Sequence, residues 1–210
     1  MWEETTKLEE IVVETARLSH NSGSLHLHEK NQDAILKDVY IDNVSLDGIT
    51  VKADCHAESF FKKNYGNKRC DYIILSEVKN KRIALFLDMK SSSLSNADVI
   101  ECYPHDLGKG FPSYVAQLRS SSCFFDFLHS VLNDFCSCDE LKNYPKRTSR
   151  FFVVLHSKKI AGMINDSNQL IFPIPPTRPS CNNTPETALV LYAENESHLN
   201  FESLILSGDE

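Results

Sequence analysis

Glycine and proline are scarce in this chain. With 7 glycines and 8 prolines among 210 residues, a collagen-like repeat and a low-complexity, disordered chain are both excluded. Long apolar runs are missing too. The longest candidate, Phe151 to Leu155, is strand-sized and far below the roughly 18 to 20 residues of a membrane helix, so no membrane partner is expected. The opening "MWEETTKLEE" has neither the basic flank nor the apolar stretch of a secretory signal, and a cytoplasmic location is the expectation. The seven cysteines are odd in number and irregularly spaced, in a chain large enough to fold without staples, which predicts reduced thiols behaving as small buried side chains. Cys102 and His105 could join Cys136 and Cys138 around zinc, but neither pair has the CxxC spacing that favours a tetrahedral site. A Walker A loop and a GxSxG elbow are absent, which removes ATP hydrolysis by that route and the usual serine esterase.

What is present is globular: 41% hydrophobic and 24% charged residues. A single domain over 1–210 is expected, with a core at about 38–157, an N-terminal helix over 2–18 and a C-terminal strand extension over 169–206. The net charge of -7 argues against a surface that binds nucleic acid all over, yet the charge is segregated. Residues 1–61 hold 12 acids and 5 bases, whereas 62–90 hold eight bases and three acids. That middle block could attract phosphate, or could be no more than solvated turn residues.

Leu8, Ile11, Val12, Ala16 and Leu18 recur at near-helical intervals. Over 38–54 two alternating runs flank Asp47-Gly48, which predicts a β-hairpin. Residues 56–64 suit a short helix. The runs at 70–76 and 82–90 read as central strands, with Glu77 to Lys81 as the turn between them. A long polar connection fills 94–111, and beyond Pro112 a long helix is predicted, with Leu118, Phe125, Leu128, Leu132 and Phe135 on one face. Strands follow at 150–157, at 169–174 as an edge, and at 186–194 as the last. The fold class is therefore α/β: a mixed central sheet flanked by helices.

Chemistry concentrates between Cys55 and Ser92. Asp71 opens one apolar strand and Asp88-Met89-Lys90 closes the next, with sixteen residues between the two acids. Alternation along a strand puts Asp88 and Lys90 on one face and Met89 on the other, and Asp71 on the neighbouring strand can lie across from them. Two converging carboxylates suit a hard divalent cation, with the Met89 carbonyl as a further oxygen ligand. Such a metal and a lysine together suit phosphodiester hydrolysis. The tripeptide itself carries little weight, since Glu77-Val78-Lys79 and Glu140-Leu141-Lys142 share its pattern. Asp88 is preferred to Glu77 because Glu77 to Lys81 is needed as the turn between the two strands. His26 and His28 could share a strand face, but no carboxylate in register is apparent nearby, and ordinary surface histidines are expected.

"KRCDYIIL" followed by "IALFLDMKSS" resembles the PD-(D/E)XK nuclease superfamily, the restriction-endonuclease-like fold, over roughly residues 55–155. Cys70 stands where that pattern often has proline. The resemblance implies a metal-dependent nuclease that cleaves DNA rather than RNA, with Mg2+ or Mn2+ held by Asp71, Asp88, Glu58 and the Met89 carbonyl. Lys90 would position water, and Glu58 and Gln117 would complete the site. The alternatives for those two are a helix-surface carboxylate and a solvent-facing glutamine. Lys62, Lys63, Lys68, Arg69 and Lys109 are the candidate phosphate contacts. Small nucleases of this kind resemble effectors of bacterial, antiviral defence systems, which leaves room for a protein partner such as an ATPase subunit to supply specificity. The competing readings are a catalytically inactive nuclease-fold subunit that binds nucleic acid or a partner, and an interaction protein whose strands merely end in acids.

Overall fold

The computed structural model describes residues 3–12, 14–20, 22–30, 32–53, 69–90, 113–136, 148–157, 169–174 and 186–205. Helix α1 (Glu3–Ile11) leads through a 3-10 turn (Glu14–Ala16) to β1 (Arg17–Ser19), β2 (Ser24–His28), β3 (Asp38–Asp42) and β4 (Ile49–Lys52). Then come β5 (Tyr72–Val78), β6 (Lys81–Lys90), α2 (Ser113–Cys136), β7 (Ser149–His156), β8 (Gln169–Ile174), β9 (Glu186–Tyr192) and β10 (Ser197–Asn200). A 3-10 turn at Glu202–Leu204 follows.

Seven strands form one sheet in the order β1-β4-β5-β6-β7-β9-β8. β4, β5 and β6 run antiparallel, while β7 lies parallel to β6 and β9 parallel to β7. Helix α2 is the crossover between β6 and β7, the kind of long connection that parallel neighbours require. β6 occupies the middle. Its residues Ile83 to Met89 are all buried, as expected of a strand covered on both faces.

The two faces are covered differently. Ala84, Phe86, Phe152 and Val154 pack with Leu118, Phe125 and Leu132 of α2 and Leu8 of α1. Phe86 stacks on Phe152 at 5.0 Å and meets Phe125 edge-on at 5.9 Å. On the other face, Leu85, Leu87, Met89, Val153 and Leu155 pack against Leu25, Leu27, Val39 and Ile41. Those four belong to a second sheet of order β10-β3-β2. The expectation of a sheet flanked by helices therefore holds for one face; among the described residues a three-stranded sheet covers the other. Alternation is the reason, because β2 and β3 each turn apolar residues inward and polar ones outward.

The predicted hairpin around Asp47-Gly48 does not form. β3 pairs with β2 and β10, whereas β4 pairs with β1 and β5, so the connection carries the chain from one sheet to the other. His20 anchors this passage. Its ring nitrogens lie 2.8 Å from the Ser45 carbonyl and 2.8 Å from the Thr50 hydroxyl, so Nδ1 donates to the former and Nε2 accepts from the latter. Burial draws the His20 pKa below its ordinary value, in keeping with this neutral form, and the Ser45 bond opposes that shift. Gly48 is present for space rather than for a positive φ. A methyl group there would meet the Leu75 carbonyl at 2.1 Å and His20 Nδ1 at 2.7 Å. Gly48→Ala is expected to destabilise the protein by about 1–3 kcal/mol through overpacking, seen as a lower midpoint in urea unfolding. An unchanged midpoint would contradict this packing.

Three further boundaries differ from the sequence reading. Helix α1 stops at Ile11, so the single helix over 2–18 is replaced by helix, 3-10 turn and strand. The β5–β6 turn is only Lys79-Asn80, with φ of 51° and 62° that suit a tight two-residue hairpin, so Glu77 belongs to the strand opposite Arg82. The strand at 186–194 is not the last, because β10 follows it and pairs in parallel with β3. The long helix beyond Pro112 and the edge strand β8 agree with the expectation.

Candidate active site

The site begins with a charge in an apolar strand. Asp88 is fully buried in β6, and a buried carboxylate is costly unless something compensates it. The two-residue strand period brings Lys90 onto the same face, where its Nζ lies 2.8 Å from Asp88 Oδ2. The lysine side chain is 18% exposed and the aspartate 0%, so Lys90 caps the acid at the edge of solvent. Asp71 arrives from β5. The last pair of the β5–β6 ladder is Tyr72 opposite Leu87, and one further step of that register sets Asp71 opposite Asp88. Asp71 Oδ2 accepts the Met89 backbone N–H at 2.5 Å, while the Met89 side chain is buried on the opposite face. Asp71, Asp88 and Lys90 are thus brought together.

Helix α2 is docked at the same end of β5. The Cys70 N–H donates to Ser121 Oγ at 2.7 Å, and that hydroxyl donates to the Gln117 carbonyl at 2.8 Å. Gln117 Oε1 is buried and accepts no hydrogen bond from any described residue. The Cys70 thiol is buried beside the same two acids. Burial pushes its pKa well above the ordinary range, the Ser121 bond opposes this, and the nearby charges of Asp88 and Asp71 push it higher still. Cys70 therefore stays protonated. Of the described cysteines whose side chains are placed, Cys70 and Cys123 are both unbridged.

Arg69 sits beside this corner, with its guanidinium 4.1 Å from the centre of the Phe124 ring and Nη1 3.2 Å from the Ala53 carbonyl. Glu58, Lys62, Lys63, Lys68 and Lys109 lie outside the described residues, as do Cys102, His105 and Cys138 of the conceivable zinc set. Glu77 stands at the far end of β5 from Asp71.

His156 escaped the sequence reading. It is buried at the end of β7 directly opposite Lys90, and Tyr192 of β9 is next in the row. The Ser157 N–H donates to the Lys90 carbonyl and the Ala193 N–H to the His156 carbonyl, each at 3.0 Å, so these strand ends are zipped together. The signal was available: "RFFVVLH" is an apolar strand closing on a polar residue, as "IALFLDMK" is. Carboxyl ends of parallel strands are where open α/β sheets tend to bind ligands.

The expectation that no carboxylate in register lies near His26 and His28 is also corrected. Asp38 stands opposite His28, and its Oδ1 is 2.7 Å from His26 Nε2 and 2.8 Å from His28 Nδ1. These bonds, that from His28 first, hold the Asp38 carboxyl below its ordinary range. The partnership was hidden because Asp38 was assigned to a hairpin with β4.

No family model, curated protein or solved structure matches this chain. Among the described residues, no helix is long and apolar enough to cross a membrane.

Proposed function

We propose that the chain is a metal-dependent nuclease of the PD-(D/E)XK type, hydrolysing phosphodiester bonds in DNA. The observation that carries this reading is the meeting of Asp71, Asp88 and Lys90 at one end of β5 and β6, on the face against which α2 packs. The surrounding order supports it as well. β5, the Lys79-Asn80 turn, β6 and α2 follow one another as strand, turn, strand and helix, the order the resemblance implies.

The donor set fits a hard cation, since Asp71 and Asp88 offer carboxylate oxygens and Met89, next to Asp88 in sequence, a backbone carbonyl. Mg2+ or Mn2+ bound there would supply charge neutralisation at the phosphoryl oxygens and acidify a coordinated water. The chain's own residues then have distinct tasks. Asp71 and Asp88 would hold the cation. Lys90 presents a fixed positive charge beside the scissile phosphate and orients the attacking water. The buried Gln117 side-chain oxygen Oε1 offers an acceptor to that water, and Glu58 would add a further carboxylate, as the resemblance implies. The lysines at 62, 63 and 68, with Arg69 and Lys109, attract the DNA backbone. A role in bacterial defence alongside an ATPase partner belongs to the same proposal.

The test is cleavage of DNA in Mg2+ by the full chain and by Asp88→Asn, which keeps the shape of the side chain and removes its charge. Wild type is expected to cut. Asp88→Asn is expected to lose both cleavage and calorimetric Ca2+ binding, because a ligand is gone. Metal binding by wild type without cleavage of DNA or RNA would favour the inactive nuclease-fold subunit instead.

A further inference from the structure

The small sheet lays down a second, chemically different constellation. β2, β3 and β10 turn their leucines, valine and isoleucine toward the large sheet and leave His26, His28, Asp38, Tyr40, Asp42 and His198 on the outer face. His26 and His28 are two residues apart on one strand, so both rings rise from the same face. Asp38 is directly opposite His28 and diagonal to His26, which stands opposite Tyr40.

We infer that His26 Nε2, His28 Nδ1 and Asp38 Oδ1 form a site for a borderline divalent transition-metal ion such as Zn2+, separate from the hard-cation site at Asp71 and Asp88. The three ligand atoms lie within 4.8 Å of one another, and both nitrogens converge on the same carboxylate oxygen. Tetrahedral zinc with bonds of about 2.0–2.1 Å sets its ligand atoms about 3.3 Å apart, so each present hydrogen bond needs to open by only about half an ångström. Two imidazoles and one carboxylate, with the remaining positions left to water, are a ligand set for zinc or ferrous iron and a poor one for magnesium, which takes oxygen.

The supports of these three side chains are already in place. The His26 ring stacks on Tyr40 at 4.7 Å with 12° between the planes, and Tyr40 stacks in turn on His198 at 4.6 Å. The Asp38 backbone is clamped by Asn195 and Glu196: its N–H donates to Asn195 Oδ1 at 2.8 Å, and its carbonyl accepts the Glu196 N–H at 2.7 Å. The His28 backbone is tied to β5, with its N–H and carbonyl bonded to the Tyr72 hydroxyl at 2.9 and 2.8 Å. Ligands fixed in this way lose little freedom when an ion arrives. His198 pairs with Asp42 instead, at 2.8 Å, and lies outside the ligand set.

Titration of the full chain with Co2+ in saturating Mg2+ tests this, because Mg2+ occupies an oxygen site while cobalt reports its ligands by colour. One equivalent is expected to give visible d–d bands without the near-ultraviolet band of thiolate ligation, and Zn2+ is expected to displace it. Affinity is expected to fall about tenfold or more in His28→Ala and in Asp38→Asn, the latter preserving the side chain's shape. Absence of cobalt binding by wild type, a thiolate band, or equal affinity in wild type and both ligand variants would overturn the assignment. Nuclease activity is not part of this readout, so the outcome is independent of the proposed cleavage reaction.

Discussion

Lys90→Met is expected to lower the rate of DNA cleavage in Mg2+ by about a hundredfold or more, the scale seen when one preorganised charge-stabilising group is removed. Methionine keeps the apolar stem and removes only the charge. Both carboxylates remain, so metal binding is expected to survive. It should in fact tighten, because Lys90 Nζ at 2.8 Å from Asp88 Oδ2 competes with an incoming cation for the same oxygen. Calorimetry with Ca2+ in place of Mg2+, beside the cleavage assay, separates this variant from Asp88→Asn, which loses both properties. Glu77→Ala serves as the control, because Glu77 is at the other end of β5 and pairs across the ladder with Arg82. Cleavage by Lys90→Met at the wild-type rate would remove the lysine from the mechanism.

The largest expected loss of stability comes from Phe86→Ala. Phe86 is fully buried in the central strand, stacked on Phe152 and edge-on to Phe125 of α2, so it joins the sheet to its helix. Truncation removes the buried ring and leaves a cavity whose walls are held by their own strand and helix. The cost is about 3–5 kcal/mol. In urea unfolding the midpoint should fall by about 1 M or more with little change in slope. Phe127→Ala is the contrast. Its side chain is 60% exposed on the outer side of α2, and the change should cost about 1 kcal/mol or less. Equal losses in the two variants would sink the assignment of faces on α2, and with it the docking of that helix beside Asp71 and Asp88.

The acid pair and its lysine were legible because each depends on short-range rules. Side chains alternate along β6, so Asp88 and Lys90 share a face in any sheet that contains the strand. Asp71 and Asp88 are joined through a tight turn, and the length of that hairpin fixes which residues stand opposite. The seven-residue spacing of Leu118, Phe125 and Leu132 likewise set the buried face of α2 before any partner was known. Glu77 was misplaced by a matter of two residues, because two left-handed residues, Lys79 and Asn80, close the turn without a glycine.

Pairings between distant segments were not legible in that way. The sequence alone determined alternating or helical segments, the polar ends of β5 and β6, and the absence of any long apolar run. Only the tertiary structure decided which strands meet. It placed β3 between β2 (Ser24–His28) and β10 (Ser197–Asn200), which come from opposite ends of the chain, instead of beside β4. It set His156 against Lys90 and Asp38 against His26 and His28. The physical reason is that an alternating strand specifies its apolar face but not its neighbour. A two-residue turn makes pairing with the next strand nearly obligatory, whereas the Asn43 to Gly48 passage lets β3 and β4 join different sheets, and burial of both sheets against each other then selects the partners.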